Sequence, residues 1–268
     1  MFKRTKKVKN FIRSAIPILF LIALVYSYNN IPEIQQTFDR INNTVNQTQK
    51  EDITPGKIKV PERTSKQVDN SGFDYGKFYE YQGTPFMVVN DNIPNFKLDE
   101  LNNKAPMEKY APLDELGRVG VAEAVLTKKM MPTDEREAIN SVKPSGWNNK
   151  KYDSSLINGG WIYNRCHLIG FQFTGQNANE LNLMTGTRAF NVDGMLPFEN
   201  QVADYIRKGG TVRYRITPVF NGDELVARGI YMEAQSLDTN ELSFCVYVFN
   251  NQNGFDINYA TGETYQKN

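Results

Sequence analysis

The chain has 268 residues, 40% hydrophobic and 12% aromatic, enough to bury a core, which excludes a wholly disordered polymer. Its net charge of +1 divides into 12 basic and 6 acidic residues over 1–70 against 19 and 24 over 71–268, which argues against a uniformly basic, phosphate-binding surface on the C-terminal part. A single histidine excludes sites that need two, and two cysteines, Cys166 and Cys245, exclude a disulfide scaffold while leaving one bridge between them open.

Residues 1–13 carry six basic and no acidic side chains, and residues 14–32 form an uncharged run of 19. That run can just span a bilayer. No small-x-small cleavage site follows it, so the pattern predicts an uncleaved transmembrane signal-anchor, with secretion after cleavage as the alternative. The positive-inside bias then keeps 1–13 cytoplasmic and places the rest outside the cell. Ile31, Ile34, Phe38, Ile41 and Val45 form one helical stripe, read as a short amphipathic stalk rather than a coiled coil. Polar text with Pro55, Gly56 and Pro61 continues to about residue 70, making 33–70 stalk and linker and 71–268 the folded domain.

Within that domain, "PFMVVN" (85–90), "GRVGVAEAVL" (117–126) and "GWIY" running into "NRCHLI" read as strands. "PTDEREAINSV" (132–142) reads as a helix, with Thr133 as N-cap and acids in its first turn. "MLPFENQVADYIRKGG" is the clearest helix: Pro197 suits the first turn, Phe198, Val202, Tyr205 and Ile206 make a stripe, and Gly209 with Gly210 ends it. "TVRYRITPVF", "ELVARGIYMEAQS" and "LSFCVYVF" are further strands, the first two joined as a hairpin through "NGD". The expected class is α+β with antiparallel pairing. Arg213 and Arg215 alternate with apolar residues and read as a solvated sheet face, while Trp147 and Trp161 read as core or loop anchors, with base stacking as the lesser reading. Lys128, Lys129, Lys143, Lys150 and Lys151 supply a local basic surface.

Asn164, Arg165, His167, Asn182, Asn191 and Glu199 crowd into one short window. A strand, a loop and a helix in succession can bring them to one face. Their types suit phosphodiester hydrolysis assisted by a hard cation: a neutral imidazole takes a proton from water, oxygen atoms hold Mg²⁺, and guanidinium grips phosphate. Each side chain alone has a plainer reading, as turn asparagines, a helix-start acid or a surface arginine. Only the spacing lifts them together.

"NRCH", then "NLMTGTRAFN" and "PFEN", resembles the DNA/RNA non-specific endonucleases, ββα-metal nucleases whose signature is usually Asp-Arg-Gly-His. The likeness is greatest to bacterial surface and secreted members, including membrane-anchored DNA-entry nucleases, and runs from about Gly72 to Thr264. It implies a ββα-metal core on a largely antiparallel sheet. It implies His167 as general base, Asn191 as the metal-binding asparagine, and Asn182 as the residue orienting groups around the scissile phosphate. Glu199 would hold metal-bound water and Arg165 would lie beside the phosphate, while Arg118 is similar to an upstream arginine that stabilises charge developing there.

The expected activity is extracytoplasmic, Mg²⁺-dependent (Mn²⁺ as a second choice) cleavage of DNA, with RNA left open, leaving 5′-phosphate ends. Two departures stand out. Asn164 replaces the signature's aspartate and cannot accept as a charge, and Cys166 replaces its glycine, which implies room for a side chain there or a bridge to Cys245. Rival readings are a membrane-tethered nucleic-acid-binding module without cleavage and a thiol hydrolase using Cys166 with His167. Adjacent strand residues point to opposite faces, which disfavours the latter.

Overall fold

Alternation of apolar side chains with a second face builds three long neighbouring strands: β6 (Val212–Val219), β7 (Gly229–Ser236) and β8 (Ser243–Phe249). The computed structural model describes residues 73–153 and 155–267, all within the unit Pro55–Asn268. The anchor, stalk and linker expected over 14–70 lie outside the described residues. Among the described residues no helix is long and apolar enough to cross a membrane.

Short strands β1 (Phe86–Val88), β2 (Met107–Tyr110) and β3 (Ala122–Leu126) complete an antiparallel six-stranded sheet in the order β1-β8-β7-β6-β3-β2. The β6–β7 pairing is the expected hairpin, but residues 220–228 join it, so the connection is a loop rather than a tight turn. A separate pair follows the long central loop: β4 (Tyr163–His167) runs antiparallel to β5 (Leu183–Thr187), with the single turn α2 (Phe171–Thr174) between them. The other short helix, α1 (Leu98–Asn102), precedes β2. After β5 comes a π-helical turn, Phe190–Met195, that runs directly into α3 (Leu196–Arg207). Strand, strand, helix is thus the local order around His167. A last hairpin pairs β9 (Phe255–Asn258) with β10 (Glu263–Gln266).

Helix α3 forms where its stripe predicts. Phe198, Val202, Ala203 and Ile206 are buried against Tyr214, Ile216, Ile230, Met232, Phe244, Val246 and Val248 of the sheet. Each fully buried side chain of this kind is worth about 1.5–3 kcal/mol of transfer free energy. The first turn accepts Pro197 because the first amides of a helix have no intrahelical acceptor to lose. Gly209 ends the helix at a φ of 99°, a left-handed backbone that a side chain would strain.

The opposite sheet face is covered as well. Tyr231, Cys245, Tyr247 and Phe249 lie under Phe73, Tyr75, Phe78, Tyr79 and Tyr81 of the arm before β1. This corrects the expectation of a solvated face at Arg213 and Arg215. Arg213 is buried and pairs with Glu100 and Glu123, while Arg215 binds the fully buried Glu233 at 2.8 Å. Covering two guanidinium groups, one of them buried, is tolerable because carboxylates meet them.

A second correction concerns 132–142, which forms no helix. Its backbone is engaged elsewhere: the Glu137 amide donates to Asn177 Oδ1 at 3.0 Å, and the carbonyls of Asn140 and Val142 accept from Arg165. Tertiary hydrogen bonds therefore replace the helical ladder that local propensity favours.

Candidate active site

Strand β4, the 132–142 segment and the start of the α3 helix wall a cavity of about 1040 Å³. Arg136, Trp147, Trp161, Asn164, Arg165, His167, Arg188, Asn191 and Glu199 are among the residues that line it. Its charge is lopsided, with three arginines to one carboxylate.

His167 ends β4 and is 6% exposed. Its Nε2 lies 3.0 Å from the Asn177 carbonyl, which can only accept, so Nε2 carries the proton in the neutral ring. Nδ1 then carries the basic lone pair. It sits 3.4 Å from Arg136 Nη2, a group that can only donate, which is consistent with that tautomer. Burial, together with the charge of Arg136, holds the imidazole below its ordinary pKa despite the Asn177 bond, so the ring stays a base at neutral pH.

Asn191 is placed by the π-helical turn. The Thr187 hydroxyl accepts the Phe190 amide at 3.0 Å, and Gln252 Oε1 accepts the Ala189 amide, fixing where the helix begins. Gly194 lets the turn approach β8, since a Cβ there would lie 2.4 Å from Val248 Cγ1. A single widened turn of this kind changes which side chains share a face, and such turns recur at functional sites. The Asn191 side-chain amide makes no hydrogen bond to the described residues. Glu199, in the first turn of α3, faces the same cavity beside Gly170, and burial pushes its carboxyl up to about 7 against the pull of Gln172 and Arg136.

Arg165 lines the cavity but is also a brace. Its Nε donates to the Val142 carbonyl at 2.5 Å and its guanidinium lies 4.1 Å from the Trp147 ring centre. Asn164 lines the cavity too, yet the partner that orients His167 is the Asn177 carbonyl, so the missing charge at 164 is not taken from that hydrogen bond.

Two expected site residues lie elsewhere. Asn182 is fully buried and clamps the backbone of Ile169, accepting its amide at 2.8 Å and donating to its carbonyl at 2.9 Å. Both ends of its amide are used, so it shapes the turn after His167 and does not line the cavity. Arg118 is bound by Asp114 at 2.7 Å and by the carbonyls of Gly222 and Glu224, with its guanidinium over Phe220. It braces the β6–β7 loop instead of facing phosphate.

The cations that the sequence reading missed are Arg136 and Arg188. Neither forms an ion pair among the described residues, and both line the cavity. Arg188 immediately follows β5, where its amide donates to the Ile162 carbonyl at 2.9 Å. Asn250 was also missed: it is buried and pins β5 to the main sheet by accepting the Thr187 amide and donating to the carbonyls of Thr185 and Ala227.

Cys166 and Cys245 are both free and buried. They belong to cores on opposite faces of the main sheet, so the bridge left open by the sequence is absent. Cys166 fits because residue 186 is glycine, where a Cβ would lie 2.5 Å from its Sγ. Burial pushes its thiol well up and it does not line the cavity, which removes the thiol-hydrolase reading.

An antiparallel strand pair, the helix after it and a histidine in an arginine-rich cavity define a class. The chain belongs to the DNA/RNA non-specific endonuclease family, whose profile matches residues 99–238. A curated deoxyribonuclease of Streptococcus dysgalactiae subsp. equisimilis is 29% identical over 193 residues, covering 57% of this chain and 59% of that protein, so the chain spans under two thirds of it. Among solved structures, NucA from Streptococcus agalactiae with magnesium ion bound matches with a TM-score of 0.59 and 25% identity, covering 69% of this chain and 91% of that one. Sda1 nuclease with bound zinc ion matches with a TM-score of 0.58 and 25% identity, covering 69% and 97% respectively.

Proposed function

We propose that the protein is a divalent-metal-dependent endonuclease that hydrolyses phosphodiester bonds of DNA, with His167 as general base. One observation carries this reading: a neutral imidazole whose tautomer is imposed by the Asn177 carbonyl lines a cavity with its basic Nδ1 3.4 Å from Arg136, one of the cavity's arginines that form no ion pair among the described residues. Nδ1 takes the proton of an attacking water. Arg136, beside it, stabilises negative charge gathering on the phosphate oxygens, a task for which a fixed, planar donor suits better than a solvated one.

The donor set fits a hard, hydrated cation. Asn191 offers a neutral amide oxygen with no competing hydrogen bond, and Glu199 lies in the same cavity to hold a coordinated water. Among the described residues there is no group of three or more His, Cys, Asp or Glu that could enclose a metal ion. That favours Mg²⁺, which commonly keeps several waters, with Mn²⁺ as an alternative. The bound ion would offset charge on the phosphate and on the leaving oxygen.

The named deoxyribonuclease relative supports DNA as substrate and the family description admits RNA; 5′-phosphate products remain the expectation drawn from the sequence resemblance. The basic, then uncharged, N-terminal sequence supports a single-pass anchor with the nuclease domain outside the cell. The test is digestion of plasmid and of RNA by the full-length chain with Mg²⁺ and with EDTA, beside His167→Ala and Asn191→Ala. Mg²⁺-dependent cutting that EDTA stops and that His167→Ala lowers about 100-fold or more is expected. Undiminished cutting by His167→Ala would sink the assignment.

A further inference from the structure

Two tryptophans line the cavity and they differ in one respect. The Trp147 ring is covered by Arg165 and packs near Tyr163. Trp161 is 51% exposed and its indole has no aromatic or cationic partner among the described residues. Its backbone, by contrast, is tied on both sides: Trp161 bridges to Lys151, the Ile162 amide donates to the Lys150 carbonyl at 3.1 Å, and the Ile162 carbonyl accepts from Arg188. The chain thus fixes a large apolar ring in the cavity lining and leaves about half of the residue exposed. Core packing cannot account for it.

The surroundings point to what covers it. Arg188, without an ion pair among the described residues, lies one residue along the same β4–β5 extension and lines the same cavity. Leu196, 37% exposed, lines it too. On the other side run Lys150 and Lys151, and beyond them the exposed Tyr265, whose ring centre lies 5.6 Å from Lys150 Nζ. Aromatic rings alternating with cations make a surface on which bases stack while phosphates are neutralised.

Resting on the nuclease reading above, we propose that Trp161 is a stacking platform for an unpaired nucleobase a few nucleotides along from the scissile phosphate, since six extended residues at about 3.3 Å each separate it from His167, with Arg188 gripping the adjoining phosphate. A base inside a duplex is already stacked on both faces and cannot offer one to the indole. The subsite therefore favours single-stranded or locally opened nucleic acid and contributes binding rather than chemistry.

The test is steady-state cleavage by the full-length chain of one oligonucleotide sequence presented single-stranded and as a duplex, with wild type, Trp161→Phe and Trp161→Ala. Trp161→Ala should raise KM for the single strand roughly 5- to 150-fold, the equivalent of the usual stacking loss, with kcat and duplex KM nearly unchanged. Trp161→Phe should recover much of the difference. Single-stranded oligonucleotide added in EDTA should also quench tryptophan fluorescence in wild type and far less in Trp161→Phe. If wild type cuts and Trp161→Ala keeps its single-strand KM, the platform is refuted while the nuclease reading stands. If wild type does not cut either substrate, the nuclease reading falls, and the quenching difference alone decides the platform: its presence supports it and its absence refutes it.

Discussion

The two faces of the domain use arginine in opposite ways. Behind the main sheet, Arg213 is buried and Arg215 largely covered, and both are matched by Glu100, Glu123 and Glu233, with Tyr75 and the Asn95 carbonyl completing the set. In the cavity, Arg136 and Arg188 form no ion pair among the described residues, and Glu199 is the only carboxylate among the described residues of the lining. Partnership, not residue type, decides whether a guanidinium is structure or is kept available for phosphate. A buried pair that satisfies itself contributes to a defined fold; an unsatisfied one at a cavity wall is attraction held in reserve for an anion.

The contrast can be broken from either side. Arg215→Ala strands Glu233 without its charge partner in a buried site and should destabilise the domain by about 3–5 kcal/mol, read as a lower urea midpoint. Arg136→Ala should leave that midpoint nearly alone and cut kcat by about 10²–10³, the usual loss for one fixed donor at a charged transition state, with Arg136→Lys a poor rescue. Asn182→Ala leaves the Ile169 amide and carbonyl buried without partners, so Tm should fall by an amount equivalent to about 1–3 kcal/mol. A fall in kcat at unchanged Tm would instead restore Asn182 to the phosphate.

The smallest effect is with pH. The folded chain keeps His167 neutral where an unfolded chain, with the ordinary imidazole value of 6.5, takes up a proton. Unfolding then binds protons, so the stability from this group is complete above about 6.5 and is lost as pH falls toward the lower folded value. His167→Phe should flatten that slope in urea titrations, and Arg136→Gln should move the acid limb of kcat/KM upward by removing a charge that disfavours the imidazolium.

Much of this was legible along the chain because periodicity and spacing are local. The α3 stripe from Phe198 to Ile206, the alternation in β6 to β8 and the grouping of His167, Asn191 and Glu199 all follow from neighbours in sequence. What escaped depends on distant partners. Arg136 was hidden because its segment reads as a capped helix, and only Asn177 and Arg165, from elsewhere in the chain, hold it open across the cavity. Arg118 carried a plausible local pattern, but Asp114 and the 220–228 loop claim its guanidinium. Asn182 has the spacing of a site residue, yet its amide is spent on Ile169. Nothing local in the text around Arg213 and Arg215 shows that an aromatic arm folds over them.

The turn at Phe190–Met195 closes each hydrogen-bonded ring one residue late, so it stores a surplus position inside a continuous helix. Excising a single residue there would return the segment to a tighter and more regular spiral. It would also change the angle between Asn191 and Glu199 about the helix axis, by less than the roughly 100° of one α-helical residue, because the wide turn spaces its residues at smaller angles. On the proposed metal-binding role of Asn191, regularity and the placing of that side chain oppose one another here, and a shortened chain that melts later but has lost its response to added divalent metal is the form that conflict would take.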